Sequence, residues 1–293
     1  MPSPKVSLLV LSTIAIAVAC AVDVSASTGG SPVDASAFAA GSCVAFEPTA
    51  GERGKTVFLD AGHGGIDPGG VGATEQGQTI DEASETLPVE LDTMALLRGK
   101  GFRVVVSRTR ASTVMRLGPG DVAEGALTLP GAHDDVAARD VCANRAHANV
   151  LVGIYFDASS SSSNAGSLTA YDPDRPFSPD SLRLAELLQH DVLASMNAHG
   201  WGIPNDGVQP DTELGSYVGE PGSGGVAEAA SSYDHLLLLG PAMHGYFSTP
   251  SQMPGAVIEP LYITDPFEGS IANSAAGQQA IAAGIAAAVE QYL

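Results

Sequence analysis

Apolar runs and polar, glycine-rich stretches alternate along most of this chain, and the runs fall into two patterns. Val57 to Leu59, Phe102 to Val106 and Val150 to Phe156 are short and continuous. A strand reads this way when both faces of its sheet are covered. Leu168 to Tyr171, Leu236 to Leu239 and Ala256 to Ile258 predict three more strands. Helical spacing appears between them. Leu87, Leu91, Met94 and Leu97 share one helical face that ends at Gly99 and Gly101. Asp134 to His147 is helical in pattern. Leu184, Leu187, Leu188, Val192 and Leu193 give a third helix its apolar face. Ile281, Ile285 and Val289 do the same for a last helix, from about Ser270 to Leu293. Strands alternating with helices predict an α/β fold with a parallel sheet.

The breaks between elements set the organisation. Pro88 fits a first helical turn but not an interior, so the first helix is expected to begin near Thr86 or to kink. Ser178-Pro179 opens the third helix, with Ser as cap and Pro at the first position. Residues 109–133 lack periodicity and read as a long surface loop. Ser159 to Ser163 reads as a flexible loop, and 201–231 is again rich in Gly, Pro and Ser. Residues 27–54 are small and polar with few large apolar side chains, and are expected to form a flexible tether. The folded domain is expected to span 55–293.

The first 26 residues read as a targeting segment. Lys5 precedes the uncharged run Val6 to Val22, too short and too weakly flanked for a membrane span. Ala17-Val18-Ala19-Cys20 resembles a bacterial lipobox, which would place a lipid anchor on Cys20. Val24-Ser25-Ala26 resembles an ordinary signal-peptidase site, and an uncleaved anchor is the third reading. Each implies export: an extracellular, wall-associated or lipid-anchored protein. Cysteine usage agrees. With Cys20 removed or acylated, Cys43 and Cys142 remain, an even pair that predicts a disulfide; two separate buried thiols is the alternative. Net charge is −20, from 33 acids and 13 bases. No basic cluster stands against it, which excludes an ordinary nucleic-acid binder.

Candidate chemistry is concentrated at two strand ends. His63 lies in Thr56 to Gly65 (TVFLDAGHGG), where an apolar strand enters a glycine-framed turn. Open α/β sheets bind ligands at such carboxyl ends. One histidine there either faces a cleft or makes a local hydrogen bond. Glu259 follows Ala256-Val257-Ile258. An unpaired charge on so apolar a strand is costly, which marks Glu259 as a functional-site carboxylate.

Four segments in order, VFLDAGHGG with DPGGVG, KGFRVVVSRT, RDVCANRAHANVLVGIY and MPGAVIEPLYITDPFEG, resemble the zinc-dependent N-acetylmuramoyl-L-alanine amidases of the AmiC type (amidase 3). The resemblance covers 55–293. It implies a central, mostly parallel sheet flanked by helices. It also implies a peptidoglycan or muropeptide substrate and a Zn2+ cofactor held by His, Glu and His. His63 matches the first ligand and Glu259 the catalytic glutamate. The family's spacing, counted back from Gly101, lands on Glu82 as the second ligand, with Glu85 and Glu75 as fallbacks. The third position falls on Tyr155. A phenol is a poor zinc ligand at neutral pH, so the ion is expected to be weakly held. Asp157, His235, His133 and His244 are the candidate substitutes, while His147, His190 and His199 lie on helical patterns. Two readings follow: a zinc amidase with an altered ligand set, or a non-catalytic relative that binds peptidoglycan or regulates a wall hydrolase.

Overall fold

The computed structural model describes residues 29–214 and 233–293. The targeting segment lies outside the described residues. The chain opens with a two-residue edge strand β1 (Ser31–Pro32) and then β2 (Ser42–Phe46) and β3 (Thr56–Ala61). A hairpin, β4 (Val71–Ala73) and β5 (Thr79–Asp81), leads into α1 (Glu82–Gly99) and β6 (Arg103–Arg108). A second small hairpin, β7 (Val122–Ala123) and β8 (Ala126–Leu127), precedes α2 (Leu129–Arg145) and β9 (Val150–Ile154). Next come β10 (Ser167–Tyr171), α3 (Ser178–Asn197), β11 (Asn205–Pro210), β12 (Gly255–Glu259), α4 (Pro266–Ala272) and α5 (Ala275–Tyr292).

Eight strands form one sheet in the order β1-β2-β6-β3-β9-β12-β10-β11. The central four, β6, β3, β9 and β12, run parallel. β2 joins β6 antiparallel, and β10 turns the far edge antiparallel to β12. Period-two alternation divides the core between two faces. Val57, Leu59, Val104, Val106, Val152 and Ile258 pack with α1, α3 and α5. Phe58, Val105, Leu151 and Val257 pack with α2 and with Leu238 and Leu239. Continuous apolar strands are thus explained: both faces are covered.

The expected tether at 27–54 is not one. Residues 42–46 are fully buried and pair with β6, from Ser42 opposite Arg108 to Phe46 opposite Val104. Val44 and Phe46 enter one core and Cys43 and Ala45 the other. Small residues here pack closely instead of remaining solvated, so the folded unit reaches back at least to residue 29. Cys43 and Cys142 form the predicted disulfide, with Cα atoms 5.7 Å apart, which clips β2 to α2.

Other departures have local causes. α1 begins at Glu82 with Asp81 as cap, its side chain accepting from the Ser84 amide. Pro88 therefore lies inside the helix, in a turn whose burial outweighs one lost hydrogen bond. Ser178 is the first residue of α3 instead of its cap, and no side chain caps that end. Leu237 to Leu239 are buried, with Leu236 partly so, but they run as a turn, not a strand. The last helix is two, divided where Ser274 caps α5. α2 starts five residues before the predicted Asp134.

Beneath the sheet's centre, the Glu90 carboxylate accepts from the Ala61 amide (3.1 Å), the Ser107 amide (2.9 Å) and the Ser107 hydroxyl (3.0 Å), all on Oε1. Its Oε2 has no hydrogen-bond partner. Burial pushes the Glu90 carboxyl up to about 8, against the pull of Arg108. A carboxyl whose folded value lies above its unfolded one stabilises the protein at low pH, and that contribution is lost as pH rises from about 4.5 to about 8. Glu90→Gln keeps the Oε1 acceptor and is expected to remove this slope. Relative to wild type, urea-unfolding stability should fall less steeply across that window, by at most about 1.4 kcal/mol per pH unit. Equal slopes for the two proteins would show that Glu90 is ionised throughout.

Candidate active site

β3 delivers its carboxyl end to a loop, 62–70, that folds back on itself. Gly64 and Asp67 exchange amide and carbonyl hydrogen bonds across it (2.9 and 3.2 Å). His63 stands at φ 58°, a left-handed conformation uncommon outside glycine. Arg139 of α2 holds it there, its Nη2 donating to the His63 carbonyl (2.9 Å). Two more guanidinium bonds fix the strand end, from Arg139 Nη1 to the Ala61 carbonyl (2.8 Å) and from Arg108 Nη2 to the Gly62 carbonyl (3.1 Å). The backbone at His63 is therefore held from below by two buried cations.

The imidazole lies between two carboxylates. Nδ1 is 2.9 Å from Asp67 Oδ2 and Nε2 is 3.1 Å from Glu82 Oε2. Glu82 is itself fixed: Oε1 accepts from the Phe156 amide (3.0 Å) and Oε2 from the Gly70 amide (3.0 Å). Burial works against a charged His63, but Glu82 and Asp67 outweigh it and hold its pKa well above the usual value. Gly69 makes this packing feasible, because a Cβ there would stand 2.5 Å from the His63 ring and 2.7 Å from Glu82 Oε2. Sequence reasoning read Asp67 only as part of a turn. Its spacing of four from His63 was the available signal.

Tyr155 follows β9, its ring edge-on to His63 with centroids 5.5 Å apart. The phenol points to the α2 side, where it donates to Asp60 Oδ2 (3.0 Å). Asp60 in turn binds Arg139 (2.6 Å), which also binds Asp135 (2.9 Å). Burial and the Asp60 charge hold the Tyr155 hydroxyl well above its usual pKa, so it remains a neutral donor.

Glu259 ends β12, half-buried, at the same end of the sheet as His63. Asp157 and Tyr262 pair across the neighbouring segment. Burial raises the Asp157 carboxyl, while hydrogen bonds with Tyr262 and Glu259 pull it back. Asp157 and Glu259 are thus in hydrogen-bond contact at this end of the sheet.

Residues 57–291 match the model of the N-acetylmuramoyl-L-alanine amidase family, Amidase_3. The chain belongs to this family. Its reaction class is that of a peptidoglycan amidase, which hydrolyses the amide between N-acetylmuramic acid and L-alanine. Solved amidase structures share the fold. The CwlD amidase of Clostridioides difficile, solved with the GerS lipoprotein, is 20% identical with a TM-score of 0.59, covering 81% of this chain and 98% of its own. AmiC2 of Nostoc punctiforme is 20% identical with a TM-score of 0.55, over 83% and 98%. The catalytic domain of CwlV from Bacillus (Paenibacillus) polymyxa var. colistinus is 21% identical with a TM-score of 0.53, over 81% and 97%. No curated protein sequence matches the chain.

The donor set of this amidase fits a metal at two positions. One nitrogen and one carboxylate oxygen converge, and Asp67 orients the opposite ring nitrogen as metal-bound histidines require. No third protein donor joins the convergence among the described residues. Among the described residues, the His63–Glu82 pair belongs to no group of three ligating side chains. None of the candidate substitutes fills the gap. His133 pairs with Asp134 (2.9 Å), and His244 is exposed. His235 lies beside Asp172, beyond the other end of β10. Asp157 is engaged with Glu259. Of the fallback acids, Glu85 accepts from Gln278 (3.0 Å) and Glu75 is exposed.

Proposed function

We propose that this amidase works at the carboxyl ends of β3, β9 and β12, with Glu259 as the catalytic carboxylate and His63 and Glu82 as the pair that would hold a zinc ion. The observation that carries this reading is the 3.1 Å approach of His63 Nε2 to Glu82 Oε2 at the sheet end that also bears Glu259. A bound ion would supply Lewis acidity and a more acidic water. Glu259 takes a proton from the attacking water as its oxygen bonds the lactyl carbonyl carbon. It returns that proton to the L-alanine nitrogen as the C–N bond breaks. Asp157 positions Glu259 by a hydrogen bond. Asp67 and Arg139 fix the imidazole and the backbone that carries it.

Peptidoglycan is a wall polymer, so the protein acts outside the cytoplasm. Export by the segment 1–26, with either lipidation at Cys20 or cleavage after Ala26, agrees with the Cys43–Cys142 disulfide, a bond that persists in oxidising compartments.

Tyr155 favours a second reading, a wall-binding relative without turnover, because its neutral hydroxyl is committed to Asp60. Tyr155→His separates the two. For the amidase, zinc affinity by calorimetry should rise at least about tenfold, and release of free L-alanine amino termini from peptidoglycan should rise with it. Should Tyr155→His gain neither zinc nor turnover while wild type binds sedimented peptidoglycan, the wall-binding reading replaces the enzyme.

A further inference from the structure

Three buried ligating atoms converge at the end of the sheet opposite the catalytic cleft. β10 runs antiparallel to β12, so Leu168 lies beside Glu259 and the chain then travels away from it. Asp172, four residues on, is displaced along the strand by roughly 13 Å. There it meets Asp211, which follows β11, and His235, from the segment that covers the α2 face. Asp172 Oδ2, Asp211 Oδ1 and His235 Nδ1 lie within 4.8 Å of one another.

What these atoms do with their other halves is informative. Asp172 spends Oδ1 on the Asp174 amide (2.6 Å), and Asp211 spends Oδ2 on the Leu236 amide (3.0 Å). Each carboxylate is thereby oriented by backbone, with its second oxygen turned inward. Asp172 is 1% exposed and Asp211 is fully buried. Yet among the described residues Asp172 Oδ2, Asp211 Oδ1 and His235 Nδ1 all lack a hydrogen-bond partner. The separations from His235 Nδ1 are 2.9 Å to Asp172 Oδ2 and 3.5 Å to Asp211 Oδ1. Those contacts have ion-pair distances without hydrogen-bond directions. Unpaired buried carboxylate oxygens are costly, and a divalent cation between them would satisfy both oxygens and the imidazole nitrogen at once. Ligands of a tetrahedral zinc at about 2.0–2.1 Å stand about 3.3 Å apart, close to the spacing here.

We propose that Asp172, Asp211 and His235 form a divalent-metal site separate from the amidase centre. An imidazole with two carboxylates suits Zn2+, Mn2+ or Fe2+ better than Mg2+ or Ca2+, which take oxygen ligands. The ion would act structurally. It ties the ends of β10 and β11 to the turn at Leu236, which carries the buried Leu237, Leu238 and Leu239. His235 is the most accessible ligand, with its side chain 13% exposed. Its Nε2 faces the solvent-exposed Asp174 carboxylate at 3.8 Å, so the site fills from that side.

The test uses chelator-stripped full chain titrated with Zn2+ and, separately, Mn2+. Metal stoichiometry and Tm are the readouts, so activity is not needed. A His63→Ala variant removes the amidase-centre ligand. It should still bind one equivalent of metal and gain Tm on binding. His235→Ala should lose that equivalent by at least 100-fold in Kd, and Asp211→Asn should do the same, since the amide retains a shape that packs. If Asp211→Asn or His235→Ala fails to fold, anomalous scattering from metal-soaked wild-type crystals reports the site directly, with a peak between the three ligands expected. The proposal is overturned if His63→Ala binds no metal, if Asp211→Asn and His235→Ala bind as wild type does, or if no peak lies between the three side chains. Loss of metal in His63→Ala alone would leave the amidase reading standing and remove this one.

Discussion

Glu259→Gln is expected to abolish amide hydrolysis with little change in stability. Glutamine keeps the size and a hydrogen-bonding oxygen, so contact with the Asp157 segment survives. It cannot take a proton from water or return one to the departing amine. General acid–base groups contribute about 10²–10⁴-fold, and turnover on peptidoglycan should fall by that factor. The reading is kcat from the release of new amino termini, with Tm followed in parallel. Burial makes Asp157 harder to ionise, and its hydrogen bond with Glu259 works against that, so the two side chains are in direct contact. A Gln variant within tenfold of wild type would assign the proton transfer to another group.

The second large effect concerns the disulfide. Cys43 and Cys142 are 99 residues apart in sequence. In the chain-entropy model, closing a loop of about 100 residues restricts the unfolded chain by about 4.7 kcal/mol. Reducing the bond, or replacing both cysteines by alanine, should lower Tm by roughly 10–20 °C. β2 is the element to come loose first, because it holds the sheet through one antiparallel pairing with β6 and a two-residue neighbour. Limited proteolysis should therefore cut between Gly41 and Lys55 in the reduced protein before it cuts elsewhere. An unchanged Tm with two titratable thiols would mean that packing alone holds β2.

The sheet was legible because its strands are buried on both faces and so appear as unbroken apolar runs. His63, Glu82 and Glu259, distant in sequence, lie at one end of that sheet. β2 escaped notice because its apolar run, Cys43 to Phe46, is only four residues long, includes the small Cys43 and Ala45, and sits in small-residue surroundings. Leu236 to Leu239 misled for the converse reason. Burial produces an apolar run whether or not the backbone is extended. The paired roles of Asp60 and Arg139 were hidden because they depend on a contact between distant segments, with 79 residues separating Arg139 from Asp60. No local spacing encodes such a contact.

The loop at 62–70 carries five glycines, a composition usually associated with rapid local opening. Its carbonyls at Gly62 and His63 are instead gripped by Arg108 and Arg139, and its far end is locked by reciprocal contacts between Gly70 and Glu82. Unfolding this loop would strand two buried guanidinium groups, so it opens with the sheet as one cooperative unit. The glycines serve close packing, and the rim they form is a fixed template. A glycan–peptide strand must therefore conform to this wall of the cleft, and whatever gives way on admission lies on the side of β9 and β12.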